Sequence, residues 1–299
     1  MLHLGNLRTA LVAWMFARSS GGSFIVRMED LDPLTSSREK ADRQLADLAG
    51  IGIDWDGEVV FQSDRFPLYN DVIATLEARG LTYPCFCTRR EIAEAASAPH
   101  GLQAELRYPG SCRNLSTIER AERHNAGRKS AVRLRASDEP VVFTDVVAGA
   151  HEGVPDDIVL RRNDGMPAYN LAVVVDDEFQ GVEQVVRGDD LLTSTPSQMH
   201  LGKLLGYRPL SYAHLPLAVN GQGRRLAKRD GAVTVDQLRQ LGRSGGDIVA
   251  LIGASLGLCD TLDTVTADDL LRRFDPTALP GHPWVFEGLP SARAADQPG

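Results

Sequence analysis

Residues 3–30 read HLGNLRTALVAWMFARSSGGSFIVRMED, and this stretch decides the expected fold. Apolar side chains between Leu7 and Ala17 recur mostly at three- and four-residue spacing, which is typical of an amphipathic helix. The pair Gly21-Gly22 ends that helix, and the apolar run at 23–28 predicts a short buried strand. A helix that leads directly into a buried strand indicates an alternating α/β pattern.

The alternation continues downstream. Ser37 is expected to cap a second helix that ends near Ala49, and residues 68–79 predict a third helix, which Gly80 ends. Helices that alternate with apolar strands predict an α/β fold built on a parallel sheet.

The regular pattern breaks up between residues 83 and 150, where cysteines and short β-branched runs replace it. We interpret this segment as an inserted subdomain, because α/β patterning resumes near Asp157 and helical spacing follows Gly231. The expected units are the first half of the α/β domain at 1–82, the insert at 83–150, the second half at 151–206, a loop and helical region at 207–280, and a disordered tail rich in Pro, Ala and Gly at 281–299.

The bulk composition is that of an ordinary globular protein. The 299 residues are 43% hydrophobic and carry a formal net charge of -8. The negative charge argues against binding nucleic acid over the whole surface, which depends on Lys and Arg, but it does not exclude a local basic face. No run approaches the roughly 18 apolar residues of a membrane span, and no signal-peptide pattern is present. We therefore expect a cytoplasmic protein that does not contact the membrane.

Two segments have the chemistry to bind phosphate. His3-Leu4-Gly5-Asn6 stands at the N-terminus of the first predicted helix, where backbone N–H groups and the helix dipole favour anions. The basic run at 224–229 follows glycine-containing residues 220–223 and could neutralise charge on phosphates. Taken singly, a helix cap with a surface histidine and a charged surface loop explain these segments at least as well.

Charged residues also follow two apolar runs, at the edge of the predicted sheet where α/β proteins bind ligands. Glu29 could hold an ammonium group, and Arg187 could bind a carboxylate through two parallel hydrogen bonds. Tyr169 opens another apolar segment upstream of Arg187. Ordinary surface turns, and a core position for Tyr169, are the alternatives.

Three of the four cysteines cluster in the insert, at Cys85, Cys87 and Cys112, whereas Cys259 lies in a predicted helix. In a cytosolic chain, clustered cysteines favour a metal site over a disulfide. Small buried thiols are the alternative, and a core position is expected for Cys259.

In combination, the order and spacing of these motifs resemble the class I aminoacyl-tRNA synthetases of the glutamyl type over roughly residues 1–280. The stretch at 3–6 is similar to that family's HIGH signature, with Asn in place of the last His. The stretch at 225–229 is similar to its KMSKS signature and retains the second lysine as Lys228. The glutamyl signatures also appear in order, at 27–30, 62–65, 83–88 and 186–190.

The short region after residue 280 offers no room for the large helical anticodon-binding region of a full glutamyl-tRNA synthetase. The better resemblance is to the truncated paralogues, the glutamyl-queuosine tRNA(Asp) synthetases, supported by the stretches at 187–196 and 274–276. This resemblance implies ATP-dependent, tRNA-independent activation of glutamate to glutamyl-adenylate, and transfer of glutamate to the queuosine base of tRNA(Asp). Two alternatives stay open: a glutamyl-adenylate enzyme with another acceptor, or a catalytically impaired, zinc-bearing RNA-binding paralogue.

The resemblance also implies roles for particular residues. The parts at 1–82 and 151–206 would form a Rossmann-type nucleotide-binding domain. Catalysis would rest on His3 and Lys228, and ATP would contact His3, Gly5, Asn6 and Lys228. Glutamate would be bound by Glu29, Tyr169 and Arg187. One structural Zn²⁺ would be held by Cys85, Cys87, Tyr108 and Cys112, and Mg²⁺ would accompany ATP. The expected partners are ATP, L-glutamate and tRNA(Asp), and the expected state is a monomer.

One family feature is not found ahead of His3. Family members begin with an Arg-Phe-Ala-Pro-Ser-type strand that supplies two glutamate contacts, so the first strand of the sheet is expected to be missing from this sequence. Either the natural start lies upstream of Met1, or the chain is a non-catalytic paralogue. N-terminal sequencing of the native protein distinguishes the two.

Overall fold

The computed structural model describes residues 2–88, 90–92, 107–226 and 233–288. Its α-helices are α1 (Leu4–Ser19), α2 (Arg38–Ala49), α3 (Phe66–Ala78), α4 (Thr117–Asn125), α5 (Tyr169–Phe179), α6 (Thr195–Leu205), α7 (Val235–Gln240), α8 (Gly245–Ser255) and α9 (Ala267–Arg273). Its strands are β1 (Arg27–Met28), β2 (Val60–Phe61), β3 (Thr82–Cys85), β4 (Ala131–Leu134), β5 (Val141–Asp145), β6 (Gly149–Gly153), β7 (Val159–Arg161), β8 (Gln184–Gly188), β9 (Ser211–Leu215), β10 (Ala218–Val219) and β11 (Trp284–Val285). Short 3₁₀ turns occur at Gln62–Arg65, Asp189–Ser194 and Pro276–Ala278.

The first helix begins and ends where the sequence predicts. The His3 ring nitrogen Nδ1 accepts a hydrogen bond from the Asn6 N–H, and the Asn6 side chain accepts one from the His3 N–H, each at 3.3 Å. This reciprocal pair satisfies two N–H groups that a helix start leaves open. Gly21 follows the helix with a φ of 71°, a conformation that favours glycine.

The next two helices also confirm their sequence signals. Ser37 caps α2, since its hydroxyl accepts a hydrogen bond from the Lys40 N–H at 3.2 Å. Helix α3 begins at Phe66, two residues before the predicted start, with a proline in its first turn, and Gly80 follows it with a φ of 68°.

The expected parallel pairing is present, but the strands are short. Strand β1 pairs in parallel with β2, β8 with β9, and β10 with β11. Among the described residues each of these pairs is a separate two-stranded sheet. The buried strand predicted at 23–28 is reduced to β1, because among the described residues β1 pairs only with the two residues of β2. The apolar run at 171–175 lies in helix α5.

The predicted insert is largely antiparallel. Strand β3 pairs with β4, β4 pairs with β7, and β5 and β6 form a hairpin. Because β7 lies beyond residue 150, the insert and the second half of the α/β part share a three-stranded sheet. Residues 89 and 93–106 of the insert lie outside the described residues.

The C-terminal part differs from the expected disordered tail at 281–299. Strand β11 pairs with β10, and the Phe286 N–H donates to the Val219 carbonyl at 2.8 Å. Phe286 is only 8% exposed, so burial of apolar surface holds this segment against the α/β part. Ordered structure therefore continues past residue 281, and residues 289–299 lie outside the described range.

Two hydrophobic clusters support the region where the parallel strands end. The first surrounds Leu7, Leu11 and Met15 of α1 and includes Ile248 and Ile252 of α8. The second joins α3 to α5 and α6. Helix α1 packs against β8, and the N-terminus of α1 shares a cavity with Gly188 at the end of that strand. Within the described residues, no helix combines the length and the hydropathy that crossing a membrane requires.

Candidate active site

A cavity of about 400 Å³ opens at the N-terminus of α1, beside the carboxyl ends of β1 and β8. Four of the segments singled out in the sequence line it together. The lining includes His3, Gly5, Asn6, Glu29, Gly188, Asp190 and Arg225. The fold thus brings the helix signature, the two charged sheet-edge segments and the start of the basic loop into one site.

The cap on α1 also orients the His3 ring. Since Nδ1 accepts from the Asn6 N–H, the neutral ring carries its proton on Nε2, which can donate a hydrogen bond. A Cβ at Gly5 would lie 3.3 Å from the His3 ring and 3.3 Å from the Ala218 side chain. Glycine therefore lets the helix N-terminus approach β10 and keeps the His3 ring in place.

The basic loop is tied to the sheet-edge segment at its first residues. Arg225 donates to Asp190 at 2.5 Å, and the Leu226 N–H donates to the Ala218 carbonyl at 3.0 Å. Leu226 is buried, so this end of the loop is anchored on β10. Lys228, the predicted catalytic lysine, lies outside the described residues.

Gly188 allows the contact between Asp190 and Arg225, because a side chain at position 188 would meet the Asp190 carboxylate. A Cβ there would lie 2.6 Å from the Asp190 Oδ1 and 3.0 Å from the Leu217 side chain. Only glycine leaves room for the Asp190 carboxylate to fold back over the end of β8 and meet Arg225.

Glu29 directly follows β1, as expected for a residue at the carboxyl end of a strand. The Glu29 side chain lines the cavity and is exposed there. Restricted hydration in the cavity raises the pKa of its carboxyl group, and the positive charge of Arg27 opposes this rise. Arg27 in turn donates to Asp177 and to Gln180, both at 2.8 Å. Glu29 is therefore a carboxylate that would gain from an incoming cation such as an ammonium group.

The signature at 62–65 contacts helix α5 and the neighbour of Glu29. Asp176 is fully buried and accepts hydrogen bonds from Gln62 at 2.9 Å, Arg65 at 2.6 Å and Tyr69 at 2.8 Å. Ser63 donates to Asp30, the neighbour of Glu29, at 2.6 Å. Sequence reasoning missed Asp176, although an acidic residue within an apolar helical run was a usable signal.

Arg187 is half-buried, and three of its N–H groups are bound by the protein. Its Nε donates to His214 at 3.0 Å, Nη1 to Gln198 at 2.7 Å and Nη2 to Thr195 at 2.9 Å.

Tyr169, the first residue of α5, is close enough to Glu29 and Arg187 for their charges to affect its hydroxyl group, and burial raises its pKa to about 12. The three residues predicted to bind glutamate are therefore neighbours, and sequence reasoning missed His214, Gln198 and Thr195.

The predicted metal ligands also converge. The sulfur atoms of Cys85, Cys87 and Cys112 all lie within 4.8 Å of one another. The Tyr108 hydroxyl lies 3.3 Å from the Cys85 sulfur and 3.5 Å from the Cys87 sulfur. Arg123 approaches the Cys112 sulfur at 3.9 Å, which favours a thiolate there. Three thiols and one oxygen in this arrangement could hold a metal ion, whereas Cys259 lies elsewhere, near helix α8.

Comparison with known proteins gives a consistent picture. The family model for tRNA synthetases class I (E and Q), catalytic domain, matches residues 1–287. A glutamyl-Q tRNA(Asp) synthetase of Nocardia farcinica is 54% identical over 285 residues, which cover 95% of this chain and 89% of that protein. A glutamyl-Q tRNA(Asp) synthetase of Cutibacterium acnes is 48% identical over 283 residues, covering 94% and 80%.

The fold has counterparts among solved structures. A glutamate tRNA ligase from Elizabethkingia meningosepticum, in complex with its amino acid, has a TM-score of 0.75 at 24% identity. The match covers 93% of this chain and 63% of that one, so this chain spans less than two thirds of that ligase. At that identity the likeness shows the fold alone. The family model and the two close relatives go further: this chain belongs to the glutamyl-Q tRNA(Asp) synthetases, within the class I tRNA synthetase family of ligases.

Proposed function

We propose that this chain activates glutamate with ATP in the absence of tRNA, and then transfers the glutamyl group to the queuosine base of tRNA(Asp). The observation that carries the proposal is the shared cavity, in which the N-terminus of α1, Glu29 and Arg225 meet. A helix N-terminus and a basic loop suit the phosphates of ATP, and a carboxylate suits the ammonium group of an amino acid.

The activation step needs little covalent chemistry from the protein. An oxygen of the glutamate α-carboxylate attacks the α-phosphorus of ATP, the P–O bond to the β-phosphate breaks, and pyrophosphate leaves with its electron pair. A carboxylate nucleophile has no proton to lose, so catalysis rests on positioning and charge stabilisation. His3 would donate from Nε2 to the phosphates, and Lys228 would neutralise the leaving pyrophosphate.

Glutamate would be recognised at both of its charged ends. Glu29 would pair with the ammonium group, and Tyr169, which is near enough to feel the charges of Glu29 and Arg187, would contact the bound amino acid. Arg187 has five N–H groups and donates three of them within the described residues, which leaves two for the side-chain carboxylate. Glutamine would be rejected, because its neutral amide cannot compensate the charge of a partly buried guanidinium.

Two metal ions fit this scheme. We infer that Cys85, Cys87, Cys112 and Tyr108 hold one structural Zn²⁺, because a closed set of three thiolates and one oxygen suits tetrahedral zinc. The zinc would hold β3 against the segment that carries Cys112. Mg²⁺ would enter with ATP, held mainly by phosphate oxygens and water.

The test is glutamate-dependent exchange of labelled pyrophosphate into ATP without tRNA, followed by transfer of labelled glutamate to tRNA(Asp) with and without queuosine. We expect exchange without tRNA and transfer only to the queuosine-containing tRNA. The variant His3→Ala should lower the exchange rate about 10²-fold, as loss of one transition-state donor does elsewhere. The variant His282→Ala, at an exposed histidine outside the cavity, is the matched control.

Each other outcome points to one alternative. Exchange with transfer to tRNA that lacks queuosine would indicate a different acceptor. Binding of tRNA without any exchange would indicate an RNA-binding paralogue, and would contradict the proposed activity.

A further inference from the structure

A buried chain of hydrogen bonds runs behind Arg187, from the insert into the α/β part. Asp145 lies at the end of β5, and its Oδ2 is 2.6 Å from the Nδ1 of His214 on β9. On the other side of the ring, the His214 Nε2 accepts from the Nε–H of Arg187 at 3.0 Å. Asp145 is 2% exposed and His214 is 0% exposed, so water does not replace these partners.

The hydrogen bonds around Asp145 select one form of the His214 ring. The Asp145 carboxylate also accepts from the backbone N–H groups of Val147 at 3.0 Å, Ala148 at 2.8 Å and His214 at 3.0 Å. A carboxylate with these donors is held ionised, so the His214 Nδ1 facing it must carry the proton. Nε2 is then the acceptor that the Nε–H of Arg187 needs, whereas the other tautomer would set two N–H groups against each other.

Charge and burial favour the same form. Burial lowers the pKa of His214, and the positive charge of Arg187 lowers it further, while Asp145 opposes both. Burial acts to raise the pKa of Asp145, but its hydrogen bonds outweigh burial and lower the pKa overall. A neutral imidazole beside an ionised carboxylate is therefore the stable state near neutral pH.

We propose that Asp145 and His214 are positioning residues that aim Arg187 at the side-chain carboxylate of the substrate, and so set the preference for glutamate over glutamine. The inference rests on the proposed function, because it concerns how that site selects its amino acid. His214 and Thr195 lie 3.1 Å apart and occupy Nε and Nη2 of the guanidinium, while Gln198 occupies Nη1. With its plane held by three partners, Arg187 directs its two remaining N–H groups in one fixed direction. The insert thereby supports the glutamate pocket through Asp145.

Two variants of matched size separate positioning from packing. His214→Gln can place an amide oxygen near the former Nε2 and keep an acceptor for Arg187, whereas His214→Met fills similar volume without one. In exchange assays we expect His214→Met to raise the KM for glutamate about 10–100-fold, as loss of a hydrogen bond to a charged group does. The KM for ATP should stay within about 2-fold, and the ratio of kcat/KM for glutamate over glutamine should fall by about the same factor. His214→Gln should recover most of the loss.

The outcomes are distinguishable. A merely structural role would lower kcat through loss of folded enzyme and leave the KM for glutamate and the selectivity unchanged, which would overturn the proposal. Absence of glutamate-dependent exchange in the wild-type protein would instead contradict the proposed function. The positioning claim is then still decided by ¹⁵N NMR of the histidine rings in the wild-type protein. A neutral His214 with its proton on Nδ1 supports the claim, and a ring protonated on Nε2 overturns it.

Discussion

The first prediction concerns how much the buried carboxylate of Asp176 contributes to the stability of the fold. Asp176 is 0% exposed, and it pairs with Arg65 at 2.6 Å while Gln62 and Tyr69 donate to it from the same side of the fold. The substitution Asp176→Asn keeps the size of the side chain but removes its charge and turns one acceptor into a donor. Arg65, 13% exposed, would then keep its charge but lose this counter-ion.

The magnitude follows from burial. Breaking a buried ion pair by neutralising one partner costs about 3–5 kcal/mol, since the remaining charge stays desolvated. At about 2–4 °C per kcal/mol for domains of 150–250 residues, Tm should fall by about 6–20 °C. Calorimetry or circular dichroism on the whole chain at neutral pH measures this shift.

The matched control is Asp64→Asn, in the same 3₁₀ turn as Gln62 and Arg65. Asp64 pairs with Arg38 at 2.7 Å, but the two side chains are 64% and 53% exposed. An exposed pair contributes at most about 1 kcal/mol, so Tm should change by no more than a few degrees. If Asp176→Asn shifted Tm no more than Asp64→Asn, the buried carboxylate would not be the support that we infer.

Three further outcomes are expected. Arg187→Ala should lower kcat/KM for glutamate in pyrophosphate exchange by about 10³-fold or more, because the substrate carboxylate loses its buried counter-ion. Undiminished activity would show that Arg187 does not bind the glutamate side chain. Gly188→Ala should displace the Asp190 carboxylate, which lies 2.6 Å from the added Cβ, and release Arg225. The KM for ATP should then rise several-fold with little change in Tm. An unchanged KM for ATP would mean that the contact between Asp190 and Arg225 does not contribute to ATP binding. Cys112→Ser should lower bound zinc well below one ion per chain by elemental analysis, whereas Cys259→Ser should retain it; equal zinc contents would contradict the site.

Much of the local structure could be predicted from the sequence, because its causes are local. The cap at Ser37 and the helix end at Gly80 depend on residues within one turn, so spacing and residue type were sufficient. The cysteine cluster was also predictable, since few chemistries use three thiols in one short segment. The strand at 23–28 was predicted too long, because strand length depends on the partner that is available, which a single segment cannot reveal.

The candidate site was predictable in part. The signatures placed Glu29 and Arg187 at strand ends, and the geometry of α/β sheets brings such ends close enough for the charge of Arg187 to act on Glu29. Their partners were not predictable. Asp176 contacts Gln62 across 114 residues and His214 contacts Asp145 across 69, and in the sequence these are polar residues without a visible partner.

The sequence by itself determined the elements and the chemistry that they carry: a capped first helix with His3 and Gly5 at its start, charged residues after apolar runs, and a set of thiols. Only the tertiary structure decided which buried group forms a hydrogen bond with each functional side chain. Hydrogen bonds reach about 3 Å and depend on direction. Whether Arg187 faces His214 is therefore set by the register of β8 against β9, and by the hairpin that carries Asp145 to the same place.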